Sequence, residues 1–252
     1  MSSIKSNSPK VDSSIIEKRI FAYEKILEDG DKKEKLEIAE KILHENFIKN
    51  ERSIELLEKS TKALNDLFEW EISQKISLKL IAMLDSNNAQ EKKVIEQAFL
   101  NLAMTLPQLG KYQEAIDYIS KAKRSDDALI RAQALKTFGR LQLLFLNDAE
   151  KAMAAYLESL KIAESLPGRN AKNLVTKNYQ LLGIIQRDWG NLEQAKEYFL
   201  EAQKIASKNN FYNCEIENYN ELANIFGISG KPEQGLEYHF RALELAEKHK
   251  IK

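Results

Sequence analysis

The 252-residue chain is poor in the residues that interrupt or staple a fold, with four prolines, nine glycines and one cysteine. A single thiol, Cys214, excludes an intrachain disulfide and leaves no CxxC redox or zinc motif. Its simplest role is that of a small, half-buried packing residue. Lys plus Arg balances Asp plus Glu at 38 each, so no overall field gathers nucleic acid or an anionic membrane. No apolar run approaches the roughly 20 residues needed to span a bilayer, and the polar start "MSSIKSNSPKVDSS" lacks the apolar segment of a secretory leader. The expectation is a cytoplasmic chain without direct nucleic-acid or membrane contact. With so few breakers and so much Leu, Ala, Glu and Lys, helix is the default and a strand-rich fold is disfavoured.

Chemical motifs are equally scarce. His44, His239 and His249 are far apart and form no HExxH pattern. There is no GxxxxGK[ST] or GxGxxG phosphate cradle and no GxSxG nucleophile elbow. Acid pairs such as Glu215 and Glu217, or Asp126 and Asp127, fall where solvated helix faces and caps would place them. Trp70 and Trp189 stand at helix ends or turns, where packing explains them. The sequence offers no catalytic residue, no metal site and no cofactor site, and the chain is expected not to be an enzyme.

What the sequence does contain is repetition. "YQLLGIIQRDWGNLEQAKEYFLEAQKIA" (179–206) aligns without a gap on "YNELANIFGISGKPEQGLEYHFRALELA" (219–246). Tyr179, Leu182, Gly183, Gly190, Ala195, Ala202 and Ala206 match Tyr219, Leu222, Ala223, Gly230, Gly235, Ala242 and Ala246. A third copy over 99–124 supplies Phe99, Leu102, Ala103, Gly110, Ala115 and Ala122. A fourth, over 135–164, has Leu135, Phe138, Gly139, Ala152, Tyr156 and Ser159 but needs one extra residue before its second half. A degenerate fifth over 56–80 carries Leu57, Thr61, Trp70, Ser73 and Leu80.

Within each half, apolar residues recur three and four apart, as at Leu192, Ala195, Phe199, Ala202 and Ala206, which marks one stripe of an amphipathic helix. Each copy therefore reads as two antiparallel helices. Gly110, Gly190 and Gly230 close the first helix with a left-handed residue, and Pro232 opens a second helix where its missing N–H does no harm. Small residues such as Gly183 and Ala202 are expected where helices cross closely. No repeat can bury its apolar face alone.

The large–large–small triplet of the first helix (Tyr179, Leu182, Gly183) and the small–aromatic–small set of the second (Ala195, Phe199, Ala202) resemble the tetratricopeptide repeat, in an extended bacterial form. The last copy departs from it by placing His239 at the aromatic position. Estimated repeat starts at 54, 96, 132, 176 and 216 lie farther apart than the family's usual length of about 34 residues, so the helices or links are lengthened. The resemblance implies an all-α, right-handed superhelix of about five hairpins over 51–252. A further helical hairpin over 13–50 and a disordered tail over 1–12 are expected before it.

The resemblance also implies where a partner binds: along first-helix positions not used in packing. These are Lys136, Arg140 and Leu143; then Lys177, Gln180, Ile184 and Arg187; then Glu217, Asn220 and Asn224. Recurring about one turn apart, they share a face. Their amides can bond the main chain of an extended peptide while their cations attract its carboxylates, so a protein or peptide segment of acidic character is the expected partner. The same residues also fit an ordinary solvated helix face. Asn220 and Asn224 match part of the carboxylate clamp of chaperone-binding relatives, but Glu217 departs from it, and that specialisation is not expected.

The final helix carries Leu236, Phe240 and Leu243 on one stripe with only "IK" after it, where repeat stacks normally add a polar-backed cover. This suggests either a piece of a longer chain or a homodimer through the C-terminal helix. The leading expectation is a non-enzymatic binding scaffold serving as the sensory or regulatory module of a larger bacterial signalling protein. A self-associating assembly factor is the alternative.

Overall fold

The computed structural model describes residues 13–45, 47 and 49–251. The expected tail over 1–12 lies outside them. The described residues form twelve α-helices and one short 3-10 turn, with no strand, in two compact units that meet in sequence between Lys111 and Tyr112.

The first unit holds α1 (Ser13–Asp29), α2 (Lys32–His44), α3 (Glu51–Asp66), α4 (Trp70–Met83), α5 (Ala89–Thr105) and the 3-10 turn Leu106–Leu109. Short polar residues start its helices. Asp31 and Glu34 form a reciprocal capping box at α2, and the Asn50 and Asn88 side chains accept from the first-turn amides of α3 and α5. The other end of α2 is closed from a different helix: the Lys79 ammonium on α4 donates to the carbonyls of Ile42, Leu43 and Glu45. Ile20, Ile42, Leu56, Leu57, Ile76 and Leu80 fill the core between these helices.

The polar residues that make the 56–80 copy degenerate are buried all the same. Thr61 returns its hydroxyl to the Leu57 carbonyl of its own helix at 3.0 Å, and Ser73 donates to Asn65 Oδ1 at 2.6 Å. Small size is kept at these crossings while the hydroxyl is satisfied locally. The α3–α4 turn is made by Phe68 at φ 62°, with its ring exposed and edge-on to Trp70 at 5.7 Å.

The second unit holds α6 (Tyr112–Ala122), α7 (Ala128–Leu144), α8 (Ala149–Glu164), α9 (Arg169–Asp188), α10 (Leu192–Asn209), α11 (Tyr212–Ile228) and α12 (Pro232–His249). Helices α7/α8, α9/α10 and α11/α12 are the three hairpins, and α8 on α9 and α10 on α11 join them in sequence. With 20 residues in α9 and 18 in α10, lengthened helices account for the 40-residue spacing. The α9–α10 and α11–α12 turns use Gly190 (φ 81°) and Gly230 (φ 74°), as the sequence predicts. The α7–α8 turn instead takes its left-handed residue from Asn147 (φ 52°), in the copy that carries one extra residue.

Small residues do mark the crossings. A Cβ on Gly139 would stand 2.5 Å from the Tyr156 ring, and one on Gly183 would stand 2.9 Å from the Phe199 ring. Both rings are fully buried. In the last hairpin the close approach is backbone to backbone: a Cβ on Gly235 would meet the Ala223 carbonyl oxygen at 2.8 Å.

Candidate binding cleft

With Tyr156 of α8 and Phe199 of α10 buried against Gly139 and Gly183, the first helices α7, α9 and α11 keep a face free of core duties. On α7 that face is Lys136, Arg140 and Leu144, each one turn from the next. Together with Lys177, Gln180, Leu181 and Ile184 of α9, they line a cleft of about 400 Å³. Glu217 and Glu221 of α11 form the remaining side, and Phe199 contributes to the lining.

Most of the sequence-predicted residues thus come together, with three corrections. Leu143 packs against the core of the α7–α9 region, and it is Leu144, 61 % exposed, that reaches the cleft. Gln180 is not a free amide, since its Nε2 donates to the Cys214 carbonyl at 3.2 Å and to Glu217 Oε2 at 3.1 Å. Arg187 is held in ion pairs with Glu221 and Asp188 and lies instead in a neighbouring cleft of about 550 Å³, with Asn224, His239 and Leu236. Asn220 faces His239 Nδ1 through its Oδ1 at 3.0 Å. Glu221 and Leu181 were missed by sequence reasoning. The Glu217–Glu221 spacing of four was the available signal that α11 turns carboxylates toward this face.

The cations behave differently. Among the described residues, Lys136, Arg140 and Lys177 have no hydrogen-bond or ion-pair partner. Lys136 is the most enclosed: burial, reinforced by repulsion from Lys177 and Arg140, pulls its amine down to about 8. The cleft therefore has a cationic wall on α7 and α9, a carboxylate wall on α11 whose members already hold Gln180 and Arg187, and apolar surface from Leu144, Leu181 and Ile184. Such a wall attracts an anionic group, and the adjoining aliphatic surface takes an apolar one.

The other candidates carry less chemistry. Cys214 is buried, and burial pushes its thiol up, away from reactivity. His249 stacks on Tyr212 at 3.6 Å. Among the described residues no three His, Cys, Asp or Glu side chains are grouped to hold a metal ion, and no helix is long and apolar enough to cross a membrane.

The tetratricopeptide-repeat family model matches residues 96–128 and 176–209. No curated protein matches the chain. Solved structures similar to it include a signal-transduction ATPase with a tetratricopeptide-repeat sensor from Pyrococcus horikoshii, at 16 % identity and TM-score 0.64 over 92 % of this chain. The chain spans only 34 % of that protein. NprR, solved in complex with its cognate peptide NprX, is similar at 16 % identity and TM-score 0.61, covering 94 % of this chain and 69 % of that one. BtubC from P. vanneervenii is similar at 12 % identity and TM-score 0.63, covering 94 % and 93 %. Residues 96–128 and 176–209 thus carry tetratricopeptide repeats, and the chain shares the all-α fold of these solved structures.

Proposed function

We propose that the chain is a non-catalytic binding module whose α7–α9–α11 face takes an extended peptide or protein segment bearing an anionic group beside an apolar side chain. The observation that carries this reading is the set of three cations without a partner among the described residues, Lys136, Arg140 and Lys177, beside the apolar surface of Leu144, Leu181 and Ile184. A protein that needed those charges for its own stability would pair them. That the structure of NprR contains its cognate peptide, and that the similar ATPase is described as bearing a repeat sensor, supports a sensory or regulatory module of a larger signalling protein. The test is selection of peptides from a randomised display library on the full chain, with titration of the winners onto Arg140→Glu. Enrichment of Asp or Glu next to Leu, Ile or Phe, and binding weakened about tenfold or more by the variant, is the expected result. Equal affinity for the variant contradicts it.

A second reading, self-association through α12, is favoured by Leu236, Phe240 and Leu243, each more than half exposed along one stripe. Light scattering of the parent and of Phe240→Glu decides it: a dimer that the variant abolishes supports this reading, and a monomer at high concentration ends it.

A further inference from the structure

Lys136 and Lys177 line two clefts. Besides the one described, they form part of a smaller cleft of about 230 Å³, shared with Arg169. Its character is different, because no carboxylate lines it. The side-chain amides of Gln133, Asn170 and Asn173, which also line it, have no hydrogen-bond partner among the described residues. Leu174 and Phe211, both buried, complete the lining. The Arg169 guanidinium is fixed in place: Nη1 donates to the Asn209 carbonyl at 2.7 Å, and the group stacks on the Phe211 ring at 4.6 Å. Three cations and three unengaged amides thus line one cleft, and among the described residues no carboxylate neutralises them there.

We propose that this smaller cleft is a phosphoryl subsite, holding a phosphate monoester among Lys136, Lys177 and Arg169 with the amides of Gln133, Asn170 and Asn173 as further donors. A single carboxylate would leave two of the three cations unbalanced. A phosphoryl group brings a charge of about −1.5 to −2 at neutral pH and three strong acceptor oxygens, which matches the supply of positive charge and N–H donors. Charge also segregates in the required sense, since Glu217 and Glu221 belong to the larger cleft alone. Because Lys136 and Lys177 border both spaces, a peptide lying in the larger cleft can carry its phosphoryl group into the smaller one. The proposal rests on the peptide reading for the source of the group and for nothing else.

The test uses the full chain and inorganic phosphate, followed by backbone amide resonances, with acetate at matched ionic strength as control. Saturable shifts over Asn170–Asn173 with phosphate and not with acetate are expected. Asn173→Asp, a near-isosteric change on the half-buried face of α9, places a carboxylate in the cleft and should weaken phosphate binding about tenfold or more. A blocked Leu-phosphoSer-Leu tripeptide and its unphosphorylated equivalent decide the source: a phosphotripeptide that binds more tightly than inorganic phosphate makes the peptide the carrier, and equal affinity makes free phosphate the ligand. Unphosphorylated library-selected peptides are titrated onto the same variant. Their retained binding with phosphate binding lost separates the two clefts and supports the subsite. Phosphate shifts matched by acetate, or unchanged in Asn173→Asp, overturn the subsite and leave the larger cleft to the Arg140→Glu test.

Discussion

Gly183 of α9 lies against the ring of Phe199 on α10, and a methyl group on that glycine would stand 2.9 Å from the ring carbons Cε2 and Cζ. Both residues are buried, so neither can move into solvent. The same arrangement recurs one hairpin earlier between Gly139 and Tyr156. Gly183→Leu should therefore overpack the crossing and cost about 1 to 3 kcal/mol or more. Pairing it with Phe199→Leu should return part of that loss, because the second change removes the ring that obstructs the first. Urea unfolding of the three variants checks this, and an unchanged midpoint for Gly183→Leu contradicts the assignment of the crossing.

Asn178 and Asn218 occupy the same repeat position and differ in what they meet. Asn178 Nδ2 donates to Ser159 Oγ at 2.8 Å, and that hydroxyl donates to the Ala132 carbonyl at 2.7 Å. The repeat position of Ser159 is held in the next copy by Ala202, which has no acceptor. Asn218, fully buried, is left with neither side-chain atom bonded. An unsatisfied buried amide costs about 1 to 3 kcal/mol. Asn218→Leu is expected to stabilise the chain, whereas Asn178→Leu is expected to destabilise it by removing the Nδ2–Ser159 hydrogen bond, although Ser159 keeps its own bond to the Ala132 carbonyl. Thermal unfolding of the two variants reads the contrast, and shifts of the same sign contradict it.

Lys136 makes stability depend on pH in a predictable direction. The folded amine releases its proton near pH 8, against an ordinary value of 10.5. Between those values the unfolded chain binds more protons than the folded one, so this residue's contribution to stability rises with pH across the window. Below it the charged amine is a standing cost, set by burial and by Lys177 and Arg140, with Glu217 and Glu221 on the opposite wall tied to other partners. Lys136→Met should gain roughly 1 to 3 kcal/mol at neutral pH and flatten the rise above pH 8. Unfolding curves across pH test it, and a less stable variant at pH 7 refutes it. A residue whose removal strengthens the fold is retained for another purpose, and ligand capture is the purpose proposed.

Arg187 and Glu221 join α9 to α11, each with about a quarter of its side chain exposed. A half-buried pair of this kind couples by about 0.5 to 3 kcal/mol in a double-mutant cycle. Arg187→Glu should destabilise, and adding Glu221→Arg should recover much of the loss. No recovery in the double variant would show that the pair is not coupled. This separates Arg187 from Arg140, which has no hydrogen-bond or ion-pair partner among the described residues and repels Lys136, so that its reversal to Glu should not destabilise the fold.

The helical hairpins were legible because identical spacing forces identical packing: the offset between Tyr179 and Tyr219 carries Gly183 onto Ala223 and Gly190 onto Gly230 without adjustment. Cleft residues were legible only as far as helical periodicity reaches. Lys136, Arg140 and Lys177 could be placed on a face, but a face does not reveal which of its charges a neighbouring helix has already claimed. The engagement of Arg187 and Gln180 was not legible for that reason, since their partners Glu221, Glu217 and the Cys214 carbonyl lie 34 to 37 residues away along the chain. The smaller cleft was invisible because Arg169 and Asn170 open α9 at a turn, outside any repeating pattern. Thr61 and Ser73 looked like disruptions in a stripe of apolar residues and are in fact small, satisfied crossing residues.

The most direct test of the binding account is amide hydrogen exchange of the full chain with and without a library-selected peptide. Protection confined to α7, α9 and α11 is the predicted result. Protection centred on α12, or none on those three helices, would contradict it.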